Sequence, residues 1–171
     1  RGQLFNEVVK ILNVRKPRAF VLENVKNLLK HNKGETYKII KSALESAGSG
    51  YTVYEDVLDT KNFGVPQHRE RVYIVGIKSP DKEFKFPKKS LNPGKTKVKE
   101  ILEKKVADKY YLSQRYYSGL LAHKKRHSEK GSGFGCELLD PKGVTNTIVC
   151  GNMGRERNLI QDRPVSINKW G

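Results

Sequence analysis

The spacing of apolar residues predicts two helices in the first third of the chain. Residues 3 to 14 repeat apolar positions at helical spacing, and Pro17 prevents the helix from continuing. Residues 34 to 47 repeat the same pattern, and Gly48 is a plausible C-terminal stop. The apolar residues of the two segments are Leu4, Phe5, Val8, Val9, Ile11 and Leu12, and then Tyr37, Ile40, Ala43, Leu44 and Ala47.

Three other segments have the pattern of β-strands. Residues 18 to 22 form a short apolar run, which is typical of a strand buried on both faces. Residues 51 to 58 alternate in the manner of a strand, and residues 71 to 77 form the clearest strand of the sequence. The last two strands are predicted to form a hairpin with an elaborated tip. Helices and strands together indicate the α/β class.

The composition changes after Ser79. Residues 79 to 130 hold 15 Lys and Arg against 6 Asp and Glu, a net charge of +9. We therefore predict a domain boundary there, with one domain over residues 1 to 79 and another over residues 80 to 171. The second is predicted to contain a short helix near residues 98 to 106 and a loop-bearing β module over residues 131 to 160, which are rich in Gly and Asn.

The charge of the whole chain points to a polyanionic partner. The sequence of 171 residues has 34 Lys and Arg against 18 Asp and Glu, a net charge of +16. Basic side chains displace counterions from phosphates, so a nucleic acid is the natural partner. The alternative is that the charge only keeps a small domain soluble. No apolar run approaches the length of a membrane span and no signal peptide is recognisable, so we expect a cytoplasmic, nucleoid-associated protein of prokaryotic type.

Polar residues stand at the ends of two predicted strands. Glu23 follows the apolar run of residues 18 to 22, and Arg69 and Arg71 alternate where the strand of residues 71 to 77 begins. In open α/β sheets, ligands bind at the carboxyl ends of strands. A carboxyl group that shares a proton with a ring nitrogen, and a guanidinium that donates to a ring oxygen, fit the edge of a cytosine.

Written out, the two blocks are Glu23-Asn24-Val25 and Asn62-Phe63-Gly64-Val65-Pro66-Gln67-His68-Arg69-Glu70-Arg71-Val72-Tyr73-Ile74. In this order and spacing they resemble two signature blocks of the DNA cytosine-5 methyltransferases. The resemblance implies a base-flipping enzyme that transfers a methyl group from S-adenosylmethionine to carbon 5 of cytosine in double-stranded DNA. It also implies the second half of a Rossmann-like methyltransferase sheet with an antiparallel hairpin, followed by part of a smaller, β- and loop-rich target-recognition domain.

The resemblance assigns roles to the residues of these blocks. Glu23 matches the carboxylate that engages ring nitrogen 3 of cytosine, and Arg71 matches the arginine that donates to the ring O2. Arg69 would hold the catalytic loop or a phosphate. Asn24 and Gln67 would support the turn at Glu23 and the hairpin tip, unless they serve turn chemistry alone. For Glu23 and Arg71, the alternative is a structural salt bridge between strand ends.

A second region is similar to the target-recognition region of the same family. It consists of Gly143-Val-Thr-Asn-Thr-Ile148 and Gly151-Asn-Met-Gly154. Thr147 matches the threonine that touches the phosphate near the flipped base. Arg155 and Arg157 follow at once, and arginine is the commonest reader of guanine in the major groove. The alternative is that both arginines bind phosphate or make no DNA contact.

Other features of the family are missing from the sequence. It has no glycine-rich cofactor loop and no Pro-Cys pair, since neither Cys136 nor Cys150 follows a proline. The two cysteines also lack metal-ligand spacing, so no metal site is predicted. We therefore expect S-adenosylmethionine to be bound mainly by a segment outside this chain, and no cofactor-binding residue is assigned within it. A second chain carrying the amino-terminal half is one source of that segment.

Three hypotheses follow. The chain is an internal portion of a cytosine-5 methyltransferase, inactive by itself; or it is a non-catalytic DNA-binding module derived from such an enzyme; or it is an unrelated α/β domain whose charge serves solubility. A separate polypeptide with the glycine loop and a Pro-Cys pair would favour the first hypothesis, and a complete protein ending near Gly171 would favour the second.

Overall fold

In the computed structural model, which describes residues 3–79, 83–88, 96–148 and 158–162, the two predicted N-terminal helices are present. They are α1 (Gln3–Arg15) and α2 (Glu35–Ser46). Gly34 precedes α2 with a φ of 91°, and Gly48 follows it with a φ of 56°. Both angles lie in the left-handed region that glycine adopts without steric cost, so the two glycines mark the limits of the helix.

The three predicted strands form one sheet in the order β1-β4-β2. They are β1 (Ala19–Val25), β2 (Thr52–Asp59) and β4 (Glu70–Ile77), and β4 runs antiparallel to both neighbours. The predicted hairpin of residues 51 to 58 with residues 71 to 77 is therefore confirmed.

The hydrophobic core lies between one face of this sheet and the two helices. Leu44 of α2 and Val72 of β4 are completely buried, and Leu12 of α1 is nearly so. Burying a leucine or valine side chain contributes about 1.5 to 3 kcal/mol, so this layer holds the sheet against the helices. The other core residues of the cluster are Tyr37, Ala47, Tyr51, Val53 and Ile74.

The opposite face of β1 is exposed. Val21 and Val25 expose 65% and 51% of their surface, and Glu23 lies between them on the same face. The expectation that this strand is buried on both faces is wrong for the described part of the chain, because the helices cover only one face. The strand also continues to Val25, two residues beyond Glu23.

Clustering of the residues by their contacts divides the chain into two units. The first unit consists of Arg1–Asn62 and Glu70–Leu91, and the second of Phe63–Arg69 and Asn92–Gly171. The tip of the hairpin therefore belongs to the second unit. The domain boundary predicted after residue 79 stays a prediction. A change in composition cannot reveal that the hairpin tip belongs to the second unit, because this membership depends on which distant strand the tip pairs with.

The second unit contains one longer helix and short strands. The helix is α3 (Gln114–Glu129), which the apolar pattern did not predict. The helix predicted over residues 98 to 106 is wrong, since only a single helical turn, Val98–Glu100, forms there. The strands are β3 (Gln67–His68), β5 (Glu137–Leu138), β6 (Thr145–Asn146) and β7 (Asn158–Leu159), and they pair in parallel as β3 with β6 and β5 with β7.

Long-range hydrogen bonds hold the turn at Val98. The Val98 side chain is buried, and its N–H donates to the carbonyl of Gly143 over 3.0 Å. The N–H of Lys99 likewise donates to the carbonyl of Pro141 over 2.8 Å. These bonds join the turn to the loop before β6, which therefore satisfies the first N–H groups of the turn. Within the described ranges, no helix is both long and apolar enough to cross a membrane.

Candidate active site

The register of β1 against β4 brings Glu23 and Arg71 together. Glu23 is paired with Tyr73, and Arg71 is paired with Val25, so the two residues occupy diagonal positions on one face of the antiparallel pair. This face points away from α1 and α2. The side chains are long enough to meet across the diagonal, and Arg71 Nε lies 2.9 Å from Glu23 Oε1.

Arg71 is held at a second point. Its Nη1 donates to the main-chain carbonyl oxygen of Glu70 over 2.8 Å. The side chain of Arg71 is only 16% exposed, whereas that of Glu23 is 45% exposed. A guanidinium has several N–H donors in a rigid plane, so it can keep both contacts and still donate to a planar ligand. The pair is thus a fixed donor beside an accessible carboxylate.

The side chain of Asn24 makes a local contact. Its Oδ1 accepts a hydrogen bond from the N–H of Val25 over 2.8 Å. This bond lies at the end of β1, since Val25 is the last residue of the strand. The role predicted for Asn24 stays a prediction.

Gln67 and Arg69 fall in the second unit. Gln67 is paired with Thr145 through the short parallel ladder of β3 and β6. The N–H of Thr145 also donates to the carbonyl of Pro66 over 2.8 Å. Arg69 directly precedes β4, and Arg71 is the second residue of that strand. The hairpin tip therefore belongs to the second unit, and the roles predicted for Gln67 and Arg69 remain predictions.

Thr147 lies beside the same ladder. Its hydroxyl donates to the main-chain carbonyl of His68 over 2.9 Å. The side chain is only partly buried. Arg155 and Arg157, predicted to contact DNA, lie outside the described residues, as does Cys150, whereas Cys136 is a buried free thiol.

Two charged residues next to the site were missed by the sequence analysis. Lys26 follows β1 directly and Glu70 is the first residue of β4, and their side chains form a salt bridge of 2.7 Å. A signal was available, because Glu70 directly precedes Arg71 and Lys26 follows Glu23 by three residues, each with a charge opposite to that of the candidate residue. Lys26 and Glu70 lie 44 positions apart, so the sequence alone cannot show that they form a salt bridge. The strand register is needed for that.

The chemistry of the Glu23 and Arg71 pair suits a planar polar ring better than a sulfonium cofactor. The positive guanidinium already neutralises the carboxylate, so the pair is not a cation site. A ring with an acceptor oxygen next to a nitrogen matches a guanidinium donor next to a carboxylate. We therefore assign neither residue to S-adenosylmethionine.

The three-stranded sheet and the two helices packed on it give the chain an α/β fold. The family model of C-5 cytosine-specific DNA methylases matches residues 1–169. The chain therefore belongs to the C-5 cytosine-specific DNA methylase family, as its two signature blocks predicted.

Individual relatives agree with this membership. The type II methyltransferase M.HpaII of Haemophilus parainfluenzae is 46% identical over 169 residues, which are 97% of this chain and 47% of that protein. The type II methyltransferase M.SsoII of Shigella sonnei is 45% identical over 153 residues, which are 86% of this chain and 39% of that protein. The chain thus spans less than half the length of these relatives.

Solved structures support the fold. The crystal structure of the S. pombe Dnmt2 methyltransferase has a TM-score of 0.55 at 16% identity, with 84% of this chain and 42% of that chain covered. A putative DNA modification methyltransferase encoded within an E. coli prophage has a TM-score of 0.55 at 15% identity, with 85% and 56% covered. At this level of identity the likeness concerns the fold alone.

Proposed function

We propose that this chain is part of a DNA cytosine-5 methyltransferase and supplies the residues that hold the target cytosine. The observation that carries the proposal is that the matched family region, residues 1–169, contains both residues and that Arg71 Nε lies 2.9 Å from Glu23 Oε1 on the sheet face that points away from α1 and α2. Glu23 would engage ring nitrogen 3, and Arg71 would donate to the ring O2. Both contacts draw electron density from the ring and make its carbon 6 more electrophilic.

The rest of the reaction would use groups outside this chain. A cysteine thiolate would add to carbon 6, and S-adenosylmethionine would supply the methyl group that carbon 5 accepts. The tasks of this chain are to orient the ring and to stabilise the charge that develops on it. A charge-assisted hydrogen bond from Arg71 to O2 is suited to the second task, because it strengthens as negative charge accumulates on the oxygen.

Double-stranded DNA is the proposed substrate, with the target cytosine flipped out of the helix so that its ring edge reaches Glu23 and Arg71. The net charge of +16 and the family membership support this proposal. Thr147 would contact the phosphate near the flipped base, and Arg155 and Arg157 would contact bases or phosphates. The names of the relatives place them among type II methyltransferases, so we propose a role in cytoplasmic restriction-modification.

Reconstitution tests the catalytic proposal. This chain would be combined with the part of the Haemophilus parainfluenzae relative that it does not match, and transfer of a labelled methyl group to duplex DNA would be measured. The positive control is the relative itself, divided at the same positions and recombined from its own parts. We expect methylation only in the mixture. If the control is active and the mixture binds DNA without methylating it, the chain is a non-catalytic DNA-binding module.

A substitution then tests the role of Glu23 in the reconstituted enzyme. Glu23→Gln keeps the shape of the side chain but removes its proton-sharing carboxyl group, and we expect kcat to fall by about 100-fold or more. Glu7→Gln is the matched control, because Glu7 lies on α1 and pairs with Lys10 on the surface. An unchanged kcat for Glu23→Gln would remove this residue from the mechanism.

Salt dependence tests the DNA-binding proposal with the chain alone. Neutralised phosphates release counterions, so the logarithm of the binding constant should fall linearly with the logarithm of the salt concentration. Replacing both Arg155 and Arg157 by Ala should reduce the slope if they bind phosphates, and should reduce the preference among sequences if they read bases. A flat salt response would contradict the proposed role of the basic charge.

A further inference from the structure

The salt bridge between Lys26 and Glu70 ties together the two segments that carry the candidate site. Lys26 Nζ lies 2.7 Å from Glu70 Oε1, and the two residues are 44 positions apart in the chain. Lys26 is three residues after Glu23, and Glu70 directly precedes Arg71. The contact therefore crosses between β1 and β4 at the end of the sheet where Glu23 and Arg71 meet.

The main chain of Glu70 connects this salt bridge to the guanidinium. The carbonyl oxygen of Glu70 accepts a hydrogen bond from Arg71 Nη1 over 2.8 Å, while Arg71 Nε contacts Glu23 Oε1. The orientation of the Glu70 peptide thus sets the plane of the guanidinium. A contact that holds Glu70 in place therefore also holds the guanidinium of Arg71, which is the donor that faces the proposed substrate.

The surroundings of Glu70 explain why it needs a cation. Its cross-strand partner in β2 is Asp59, a buried carboxylate. Like charges at directly opposite positions of an antiparallel pair repel each other. Asp59 has its own cation, since Lys61 Nζ lies 3.2 Å from Asp59 Oδ2. Lys26 supplies the corresponding charge for Glu70, so its removal would leave Glu70 pushed away from Asp59 at the start of β4.

Resting on the proposed function, we propose that Lys26 and Glu70 are positioning residues, whose salt bridge holds the Glu70 peptide so that its carbonyl fixes Arg71 against Glu23. Neither residue needs to touch the cytosine. The side chains of Lys26 and Glu70 are 48% and 33% exposed, so the bond contributes little to overall stability.

Solvent exchange of the Arg71 Nε proton, followed by NMR on the whole chain, reports this orientation directly. In Lys26→Met and Glu70→Gln the exchange rate should rise roughly two- to fivefold. This factor corresponds to the free energy lost when a partly exposed salt bridge is removed. Lys26→Arg keeps the charge and should restore the wild-type rate. Lys10→Met is the matched control, because it breaks the exposed salt bridge to Glu7 on α1, and should leave the rate unchanged.

Kinetics of the reconstituted enzyme provide the second measurement. A positioning role predicts that Lys26→Met lowers kcat by roughly the same two- to fivefold factor as it raises the exchange rate, with little change in KM. A merely structural role would leave kcat unchanged. An Arg71 exchange rate that is the same in Lys26→Met and the wild type would overturn the inference, even if Glu23→Gln abolishes turnover. Faster exchange in Lys26→Met together with an unaffected Glu23→Gln enzyme would sustain the positioning of Arg71 and refute the proposed function.

Discussion

Phe20 and Gly76 face each other across β1 and β4, and the ring of Phe20 occupies the space where a side chain at residue 76 would lie. A Cβ placed on Gly76 would be 2.1 Å from Phe20 Cε1, well inside van der Waals contact. The space allows the Phe20 ring to pack edge-on against Tyr51, with ring centroids 5.0 Å apart. The absence of a side chain at residue 76 is thus part of the packing between the sheet and its helices.

Gly76→Ala should destabilise the chain by about 1 to 3 kcal/mol, because the added methyl group overlaps a rigid ring that has to move. Urea unfolding followed by circular dichroism would measure the loss. Gly119→Ala is the matched control, since a Cβ at this position in α3 meets no atom within 4 Å. It should stabilise by roughly 0.5 to 1 kcal/mol, because alanine is the better helix former. Equal effects of the two substitutions would contradict the close packing at Gly76.

Arg71→Lys should lower the kcat of the reconstituted enzyme by at least roughly tenfold, although it preserves the positive charge. An ammonium group cannot keep the contacts to Glu23 and to the Glu70 carbonyl in the plane that the guanidinium provides. Steady-state methyl transfer would show the change. Arg15→Lys, at the exposed end of α1, is the control and should leave kcat unaltered. A fully active Arg71→Lys enzyme would show that charge alone is sufficient.

Thr147→Val should weaken binding to duplex DNA by roughly three- to tenfold, the usual effect of removing one hydrogen bond. Valine has nearly the shape of threonine but cannot donate to the His68 carbonyl or contact a phosphate. Fluorescence anisotropy at constant salt would measure the affinity. Thr147→Ser keeps the hydroxyl and should bind as the wild type does. If the serine variant binds as weakly as the valine variant, the hydroxyl of Thr147 alone does not account for the affinity.

Glu100 should confer a pH dependence on the turn at Val98. Hydrogen bonds from the backbone N–H groups of Lys97 and Thr96 lower the pKa of Glu100, because they favour its ionised form. The folded pKa is therefore below the unfolded one. The stabilisation is complete above the unfolded pKa and is lost as the pH falls through the lowered, folded pKa.

NMR titration checks this expectation. The amide shifts of Thr96 and Lys97 should titrate together on the acid side of the ordinary range for glutamate, and Glu100→Gln should abolish the transition. Titration of both amides at the ordinary pKa of glutamate would show that the two hydrogen bonds do not favour the ionised side chain.

The elements that the sequence predicted well are those with strong local patterns. The helix at residues 3 to 14 and the strand at residues 71 to 77 combine a regular apolar repeat with a nearby Pro or Gly boundary, and both are confirmed. Helix α3 was missed because the structure buries none of its residues, so no continuous apolar stripe marks it. The helix predicted from residue 98 is limited to the single turn Val98–Glu100.

By itself, the sequence determined the family, the class of the fold and the two residues proposed to hold the base. Glu23 and Arg71 stand in blocks whose residue types and order are distinctive without any coordinates. Only the tertiary structure decided that these residues lie 2.9 Å apart, that Lys26 pairs with Glu70, and that the segment Phe63–Arg69 belongs to the second unit. The physical reason is that strand register and the pairing of distant segments arise from packing over the whole chain, whereas sequence patterns report mainly on neighbouring residues.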